Sequence, residues 1–221
     1  SVELTVNMVV GASPLSDLVK CPGEAAMFST NASGTGPLSY VWQKDGSVLT
    51  GQTDSTLTLS AVSAADAGVY SVVVSGACGS VTNSGRLTVN LAVGASGLAD
   101  VVKCAGDTAI FSTVATGTGP YSYAWLKNGN VLAAQSGSSL TLNNVSAADA
   151  GIYSVVVSGA CGSLTNSASL TVNQNVAVVS SPVSVTNCPG TSASFNVSAT
   201  GTGLSYQWYR GTTALTGETG S

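Results

Sequence analysis

The side chains with the most distinctive chemistry in this sequence are five regularly placed cysteines. Cys21, Cys104 and Cys188 each open a Cys-Pro-Gly or Cys-Ala-Gly turn, whereas Cys78 and Cys161 each stand in a Gly-Ala-Cys-Gly stretch. Such regular placement predicts a disulfide framework and an oxidising compartment. A metal site is the alternative, but the sequence has no histidine and no two cysteines close together. We therefore predict no metal and no cofactor.

Carboxylates are the groups left for acid–base catalysis, because histidine is absent. Asp66 and Asp149 are accounted for by a tight Asp-Ala-Gly turn that recurs in the sequence. The other recurrent carboxylates are Asp17, Glu24, Asp100 and Asp107. A calcium ion takes six to eight oxygen ligands, usually from several clustered carboxylates, and these four stand singly. They indicate solvated surface, so we predict no catalytic residues and no enzyme.

The cysteines belong to a tandem repeat. Residues 8–90 and 91–173 align without a gap and are identical at 56 of 83 positions. Residues 174–221 repeat the first part of the unit, and residues 1–7 match its last strand. The 83-residue repeat and its two partial copies predict four parts of the chain. They are the last strand of a preceding repeat (1–7), two domains (8–90 and 91–173), and the first part of a third domain (174–221). On this interpretation the chain is a piece of a longer polypeptide.

Inside one repeat the pattern indicates strands and turns throughout. Residues 26–30 and 57–59 alternate between apolar and polar, Tyr40–Trp42 follows a Gly-Thr-Gly-Pro turn, and residues 70–74 are a β-branched run. No segment has a helical period. About seven short strands per repeat predict an all-β fold of tandem antiparallel sandwiches.

Four short motifs resemble an immunoglobulin domain of the intermediate set (I-set). They are Gly23-Glu24 before a strand, Tyr40-Val-Trp42, Leu57-Thr-Leu59 and Asp66-Ala-Gly-Val-Tyr70. The resemblance implies tryptophans between the sheets and tyrosine hydroxyls bonded back to the corner backbone. The structural core residues that it implies are Trp42, Trp125, Trp208, Tyr70, Tyr153, Asp66 and Asp149.

One departure from the family pattern concerns the cysteines. The positions at which the family has its two core cysteines hold Thr30 and Val72 here, and Thr113 and Val155 in the second repeat. The resemblance therefore implies a core without the intersheet disulfide. Cysteine-shifted repeats of this kind resemble the immunoglobulin-like modules of large bacterial cell-surface and adhesion proteins.

The topology implied by this resemblance bears on the pairing of the cysteines. In it the second strand starts at one end of the sandwich and the last hairpin lies at the other, more than ~20 Å away. A disulfide needs Cα atoms within ~7 Å. In a head-to-tail array one domain's end faces the next domain's hairpin, which favours an interdomain Cys21–Cys161 bond. Cys21–Cys78 within one repeat stays open as the alternative. With the favoured pairing, Cys78, Cys104 and Cys188 have partners outside this segment.

Composition limits the classes of partner. The net charge is -4, and the six basic residues are scattered singly, which argues against nucleic acid. No run of about 18 apolar residues is present, so we predict no membrane span in this segment. Charged residues make up only 7% of the chain, so its outward strand positions are mostly Ser, Thr, Ala, Gly and Asn. Strands on such a surface lack the charged side chains that usually prevent them from pairing with strands of another chain.

These observations predict a structural and adhesive role. The chain would be part of a giant extracellular repeat protein, secreted or at the cell surface, whose disulfide-stabilised domains form a stiff rod or fibre. Its partners would be neighbouring repeats, identical chains in a homo-oligomer or bundle, and ligands on a cell surface, of a host or of a prey. The alternative is a module that binds glycan or protein through its loops.

Overall fold

The computed structural model describes residues 2–221, so Ser1, the first residue of the predicted strand 1–7, lies outside the described residues. Those residues form twenty-two strands and two short 3-10 helices. They fall into two compact units, of which one runs to Ala95 and adds Ala115–Ser122 and Val157–Leu164. The other comprises Ser96–Val114, Tyr123–Val156 and Thr165–Ser221. The units therefore do not coincide with the sequence repeats.

The first repeat forms a sandwich of short strands. Its strands are β1 Gly11–Ala12, β2 Leu18–Lys20, β3 Ala26–Ser29, β4 Ala32–Ser33, β5 Ser39–Lys44, β6 Ser47–Val48, β7 Thr56–Leu59, β8 Gly68–Gly76 and β9 Gly79–Val89. A five-stranded sheet has the order β2-β9-β8-β5-β6, and β3 pairs with β7 and β1 with β4. A 3-10 helix, Ala64–Asp66, leads into β8.

Alternating side chains build the core of this sandwich. Tyr70, Val72 and Val74 point inward from β8, and Phe28 does so from β3. Trp42 is fully buried among them and pairs in register with Val72. Burial of the Trp42 ring would stabilise the fold by several kcal/mol, since truncating a buried tryptophan typically costs about 3–5 kcal/mol.

Thr30 and Val72 occupy the positions of the family's core cysteines, and both are buried. The Thr30 hydroxyl donates a 2.7 Å hydrogen bond to the carbonyl of Ser13. Thr113 makes the same 2.7 Å bond to the carbonyl of Ser96 in the second repeat. A buried hydroxyl needs such a partner, so the threonine ties the first strand to the core where a disulfide is missing.

The second repeat has the same set of elements. Its strands are β10 Gly94–Ala95, β11 Val101–Cys104, β12 Ala109–Ser112, β13 Ala115–Thr116, β14 Ser122–Lys127, β15 Asn130–Val131, β16 Ser139–Leu142, β17 Gly151–Ser158 and β18 Ser163–Asn173. Its large sheet has the order β11-β18-β17-β14-β15, with a 3-10 helix at Ala147–Asp149 before β17. Trp125 and Tyr153 are buried. The prediction of all-β immunoglobulin-like sandwiches in tandem is confirmed, with one addition: β2 pairs with β9, and β11 with β18, in parallel.

Residues 174–221 form β19 Ala177–Ser180, β20 Ser198–Thr200, β21 Tyr209–Arg210 and β22 Thr213–Ala214. The family resemblance implies that Trp208 lies in a core, but its side chain is only half-buried. In the first repeat Trp42 is covered by residues of β8 and β9, such as Tyr70 and Leu87. Residues 174–221 contain no counterpart of those strands, which explains the exposure of Trp208.

Residues 2–7, matched by sequence to a last strand, form no strand and are exposed. The corresponding β9 is paired on both sides, with β2 and β8. Within residues 2–221, no helix has the length and apolar character needed to cross a bilayer.

Candidate functional site

Cys21 and Cys161 form a disulfide in the structure. Their Cα atoms are 5.5 Å apart, well inside the range of ordinary disulfides. The bond joins the first sequence repeat to the hairpin of the second, across 140 residues of chain. Both cysteines lie in the same compact unit, because that unit includes Val157–Leu164.

A tight turn after β2 positions Cys21. The Cys21 N–H donates a 2.7 Å hydrogen bond to the Glu24 carboxylate, and the Glu24 N–H donates to the Cys21 carbonyl. Gly23, between them, has φ +84°, a conformation that glycine adopts without strain. Glu24, weighed as a calcium ligand from the sequence, thus caps the turn that presents the cysteine.

The hairpin between β17 and β18 positions Cys161, which is 8% exposed. The Gly159 N–H donates a 3.1 Å hydrogen bond to the Gly162 carbonyl and closes the turn. A Cβ atom on Gly159 would lie 2.6 Å from Val93 Cγ2 and 2.9 Å from the Thr118 carbonyl oxygen. Only glycine therefore lets the hairpin approach the segment between the repeats this closely.

That segment, residues 90–93, is hydrogen-bonded to both repeats. The Asn90 N–H donates to the Lys20 carbonyl at 2.8 Å, and the Val93 N–H donates to the Cys161 carbonyl at 3.1 Å. Leu91 exchanges two bonds with Thr118: its N–H donates to the hydroxyl at 2.7 Å, and its carbonyl accepts from the Thr118 N–H at 3.2 Å. We call residues 90–93, Lys20, Thr118 and the Cys21–Cys161 bond the linker junction.

The threonine bonds of the linker junction recur at the start of the other repeats. Thr35 binds Met8 with bonds of 2.7 and 3.2 Å, and Thr202 binds Gln174 with bonds of 2.8 and 3.0 Å. Sequence reasoning noted the Gly-Thr-Gly turn but missed this role of its threonine. The signal was available, because Gly-Thr-Gly occurs in all three repeats at residues 34–36, 117–119 and 201–203.

The other three cysteines are unbonded in the structure. Cys78 is half-buried, whereas Cys104 and Cys188 are exposed. The structure thus brings Cys21 together with Cys161 and not with Cys78. Partners for Cys78, Cys104 and Cys188 outside this segment stay a prediction.

The corner residues implied by the resemblance lie together in each repeat. Asp66 accepts 2.8 Å hydrogen bonds from the backbone N–H and the hydroxyl of Ser63, and the Tyr70 hydroxyl donates to the Asp66 carbonyl at 2.8 Å. Asp149 and Tyr153 make the same bonds in the second repeat. These residues therefore have a structural role in the corner before β8 or β17.

These bonds shift the pKa values of the corner groups. Hydrogen bonds from the Ser63 backbone N–H, and then from its hydroxyl, hold the pKa of the Asp66 carboxyl below its ordinary value of 3.8. The Ser146 backbone N–H and hydroxyl lower the pKa of Asp149 in the same order. Burial raises the pKa values of the Tyr70 and Tyr153 hydroxyls.

The recurrent carboxylates each cap a backbone group. Asp17 accepts from the Arg86 N–H and Asp100 from the Ser169 N–H, both at 2.7 Å. Asp107 accepts from the Cys104 N–H at 2.9 Å, as Glu24 does from Cys21. Within residues 2–221, no three such groups gather where they could share a metal ion.

Two shallow depressions lie on the surface. The larger, of about 370 Å³, is lined by strand residues Asp100, Val101, Val102, Lys103, Thr108 and Ile110. The smaller, of about 210 Å³, is lined by Pro182, Val197, Tyr206, Gln207 and Trp208. The smaller one lies beside the half-buried Trp208, and neither includes the loops around Thr35 or Thr118.

The chain belongs to the immunoglobulin I-set domain family. The family model matches twice, at residues 12–89 and 95–172. These two matches cover most of the chain, one in each of the two repeats.

Similar solved structures come from titin and from a recognition protein. A three-immunoglobulin structure of titin domains, in a glutamate-to-alanine variant, has a TM-score of 0.79 and 20% identity, covering 94% of this chain and 81% of that one. An I-band fragment of titin has a TM-score of 0.78 and 20% identity, covering 96% and 82%. Two immunoglobulin domains of DIP-gamma have a TM-score of 0.56 and 16% identity, covering 74% and 97%.

At these identities the similarity establishes the fold. Tandem immunoglobulin domains of this kind are found in structural proteins such as titin and in recognition proteins such as DIP-gamma. In such proteins they are structural or binding modules.

Proposed function

We propose that this chain is a segment of a large extracellular repeat protein of the bacterial cell-surface type, with a structural and adhesive role. Its domains would be residues 8–90 and 91–173, followed by the first part of a third from 174, and would form a stiff rod. The chain would have no enzymatic activity. The observation that carries this proposal is the linker junction. There the Cys21–Cys161 disulfide joins the two repeats, and four hydrogen bonds, one of them to the Thr118 hydroxyl, hold the segment between them.

The composition of the linker supports stiffness. Residues 90–93 read Asn-Leu-Ala-Val, without the glycine and serine of a flexible spacer. Asn90 donates its backbone N–H to Lys20 of the first repeat, and Leu91 and Val93 donate theirs to Thr118 and Cys161 of the second. These bonds, roughly 0.5–1.5 kcal/mol each, fix the segment to one repeat at each end and leave little free chain between them.

The position of the disulfide supports a role under mechanical load. Because the bond encloses a loop of 140 residues, it would stabilise the folded state by roughly 4–5 kcal/mol in a chain-entropy model. Persistence of such a bond requires an oxidising compartment, which supports an extracellular location.

Lateral association of identical chains into a fibre is part of the proposal. On the outer face of the large sheet in the first repeat, Val41 pairs with Val73, and Gln43 pairs with Ser71. Val41 is 40% exposed and Val69 is 41% exposed. Arg86 pairs with Val69, and the Val69 N–H donates to the Asp45 carboxylate, which is ion-paired with Lys44. A sheet face with so little charge does not repel a second copy.

Single-molecule force extension tests the load-bearing role. When the chain is pulled from its ends, the disulfide should keep the segment between Cys21 and Cys161, which are 140 residues apart in sequence, from extending until a reductant is added. Reduction should then release roughly 460–500 Å of hidden length. The matched control is the Cys21→Ser/Cys161→Ser double variant, which should release that length without reductant. Full extension of the oxidised parent chain would contradict the proposal.

A further inference from the structure

The hairpin turn between β14 and β15 contains the only Asn-Gly pair of the sequence, Asn128-Gly129. We propose that Asn128 is a site of spontaneous deamidation, and that the folded chain accepts the aspartate product with the hydrogen bonds that Asp45 makes in the first repeat. The co-reactant is water. This inference goes beyond the proposed function and does not depend on it.

Asn128 and Asp45 occupy equivalent turns in the two repeats. Both residues have φ +49°, and the glycine that follows each of them, Gly129 or Gly46, has φ +83°. Two successive residues with positive φ are what a type I′ hairpin turn requires, and Asn-Gly and Asp-Gly are its preferred pairs. The backbone of this turn therefore accepts either asparagine or aspartate.

The side chains at these two positions make the same hydrogen bond. Asn128 Oδ1 accepts a 2.9 Å bond from the Ile152 N–H. Asp45 Oδ1 accepts a bond of the same length from the Val69 N–H. A Cβ atom on Gly151 would lie 2.7 Å from Asn128 Oδ1, so glycine is needed where the side chain lies against the strand. An aspartate at position 128 thus finds its hydrogen-bond donor already in place.

Three features of the turn favour attack of the Gly129 nitrogen on the Asn128 side-chain amide. Both residues are exposed, and a Cβ atom on Gly129 would meet nothing within 4 Å, so no side chain shields the nitrogen. The Ile152 N–H is bonded to Oδ1, the atom on which negative charge develops during the attack. Since β15 is only two residues long, the backbone can move at this hairpin tip without opening a long strand.

The reaction proceeds through a cyclic succinimide. The Gly129 backbone nitrogen loses its proton to hydroxide and bonds to Asn128 Cγ, and the amide nitrogen leaves as ammonia. Water then attacks the ring carbonyl at Cγ, breaks its bond to the Gly129 nitrogen, returns a proton to that nitrogen and gives aspartate. Attack at the main-chain carbonyl instead gives isoaspartate, whose longer backbone no longer fits a two-residue turn. One water is consumed and one ammonia is released.

The two asparagines that precede a serine lie in a different setting. Asn83 and Asn166 are inside the strands β9 and β18, each of 11 residues. The Asn83 amide donates to the carbonyls of Ala12 and Ser13 at 3.0 and 2.9 Å. The Asn166 amide donates to the Ser96 carbonyl at 2.9 Å. Because strand pairing and these bonds hold both amides in place, the two residues are internal controls for Asn128.

Deamidation would add a carboxylate beside Lys127. In the first repeat the Asp45 carboxylate forms an ion pair with Lys44 at 3.0 Å. Hydrogen bonds from the Val69 N–H, and then from Lys44, hold the pKa of the Asp45 carboxyl below its ordinary value. The conversion therefore adds one negative charge to a chain of net charge -4, and it gives Lys127 the neighbour that Lys44 already has.

Peptide mapping of the aged full chain tests the modification site. The folded chain is incubated in mildly alkaline buffer made with oxygen-18 water, and mass spectrometry of its digest follows the conversion of amide to labelled acid. Asn128 should convert at a rate proportional to the hydroxide concentration, while Asn83 and Asn166 stay intact. Asp45→Asn should create a second converting site, because it puts the same pair in the same turn. An Asn128 that stays intact in the folded chain would overturn the proposal, whether or not it converts in urea.

Two variants test whether the fold accepts the product. Asn128→Asp supplies aspartate directly and should leave the Ile152 amide as protected from hydrogen exchange as it is in the parent chain. Asn128→Ala has no acceptor at this position and should lose that protection. Equally fast exchange at Ile152 in both variants would overturn the proposal that the folded chain holds aspartate as the first repeat holds Asp45.

Discussion

The first and third repeats contain the same tryptophan in the same local setting, but its burial differs. The Trp42 ring N–H donates a 2.8 Å hydrogen bond to the Asp54 carbonyl, and the Trp208 ring N–H donates a 2.8 Å bond to the Gly220 carbonyl. Trp42 is completely buried, whereas Trp208 is half-exposed. The comparison shows that residues near in sequence fix the ring's hydrogen bond, but distant strands provide its burial.

Ring contacts lead to the same conclusion. Phe195 and Trp208 have ring centroids 6.4 Å apart, and so do Phe111 and Trp125 in the closed second repeat. The aromatic pair therefore forms with or without the strands that close a sandwich. Of those strands, β8 and β17 each supply two buried valines and the buried tyrosine, and β9 and β18 supply Leu87 and Leu170.

Truncation of the tryptophans should have the largest effect in this comparison. Trp42→Ala removes a fully buried ring and should lower the free energy of unfolding of the first repeat by about 3–5 kcal/mol. Trp208→Ala removes a half-exposed ring and should cost about 1 kcal/mol or less. Urea unfolding followed by circular dichroism measures both, and equal losses would show that Trp208 lies in a closed core.

Removal of the Thr118 hydroxyl should have a smaller effect on stability, which is confined to the Leu91 amide. Thr118→Val leaves the Leu91 N–H without its acceptor, which should cost about 1 kcal/mol and speed amide exchange at Leu91 roughly fivefold. Thr202→Val is the matched variant and should do the same at Gln174. Unchanged exchange at Leu91 in Thr118→Val would mean that the threonine does not hold the linker.

The smallest expected effect is on the pH dependence of stability. It should come from the first and second repeats, which contain the Asp-Ala-Gly corner. The folded pKa values of Asp66 and Asp149 are lowered, so their ionised forms stabilise the fold above the unfolded pKa of about 3.9. This stability is lost as pH falls through the lowered folded pKa values. An Asp66→Asn/Asp149→Asn variant should therefore lose less stability than the parent chain below about pH 4. Thermal unfolding at several pH values measures the difference, and parallel curves would refute the assignment.

The features that could be predicted from the sequence are those whose contacts join residues close together in the chain. The corner around Asp66 and Tyr70 was predictable, because its hydrogen bonds join residues within an eight-residue stretch, 63–70, that contains the family motif. The burial of Trp42 followed from the sandwich fold. The half-exposure of Trp208 did not, because burial depends on strands far along the chain.

The linker junction was only partly predictable. The Cys21–Cys161 pairing was favoured through the topology that the family resemblance implies. The recurrent Gly-Thr-Gly turn marks Thr118, but its bonds to Leu91 join residues 27 apart in sequence, and the turn does not show which residue is the partner. The role of Glu24 was also missed, because a lone carboxylate beside a turn has the same sequence pattern as solvated surface.

A peptide map of the oxidised, alkylated chain under non-reducing conditions tests the interdomain disulfide most directly. We expect a cross-linked pair of peptides that contain Cys21 and Cys161, with alkylated thiols at Cys78, Cys104 and Cys188 in the monomer. After reduction the pair should separate into its two peptides. A Cys21–Cys78 bond in the monomer would refute the interdomain link, because it would place the covalent bond within one repeat instead of between two.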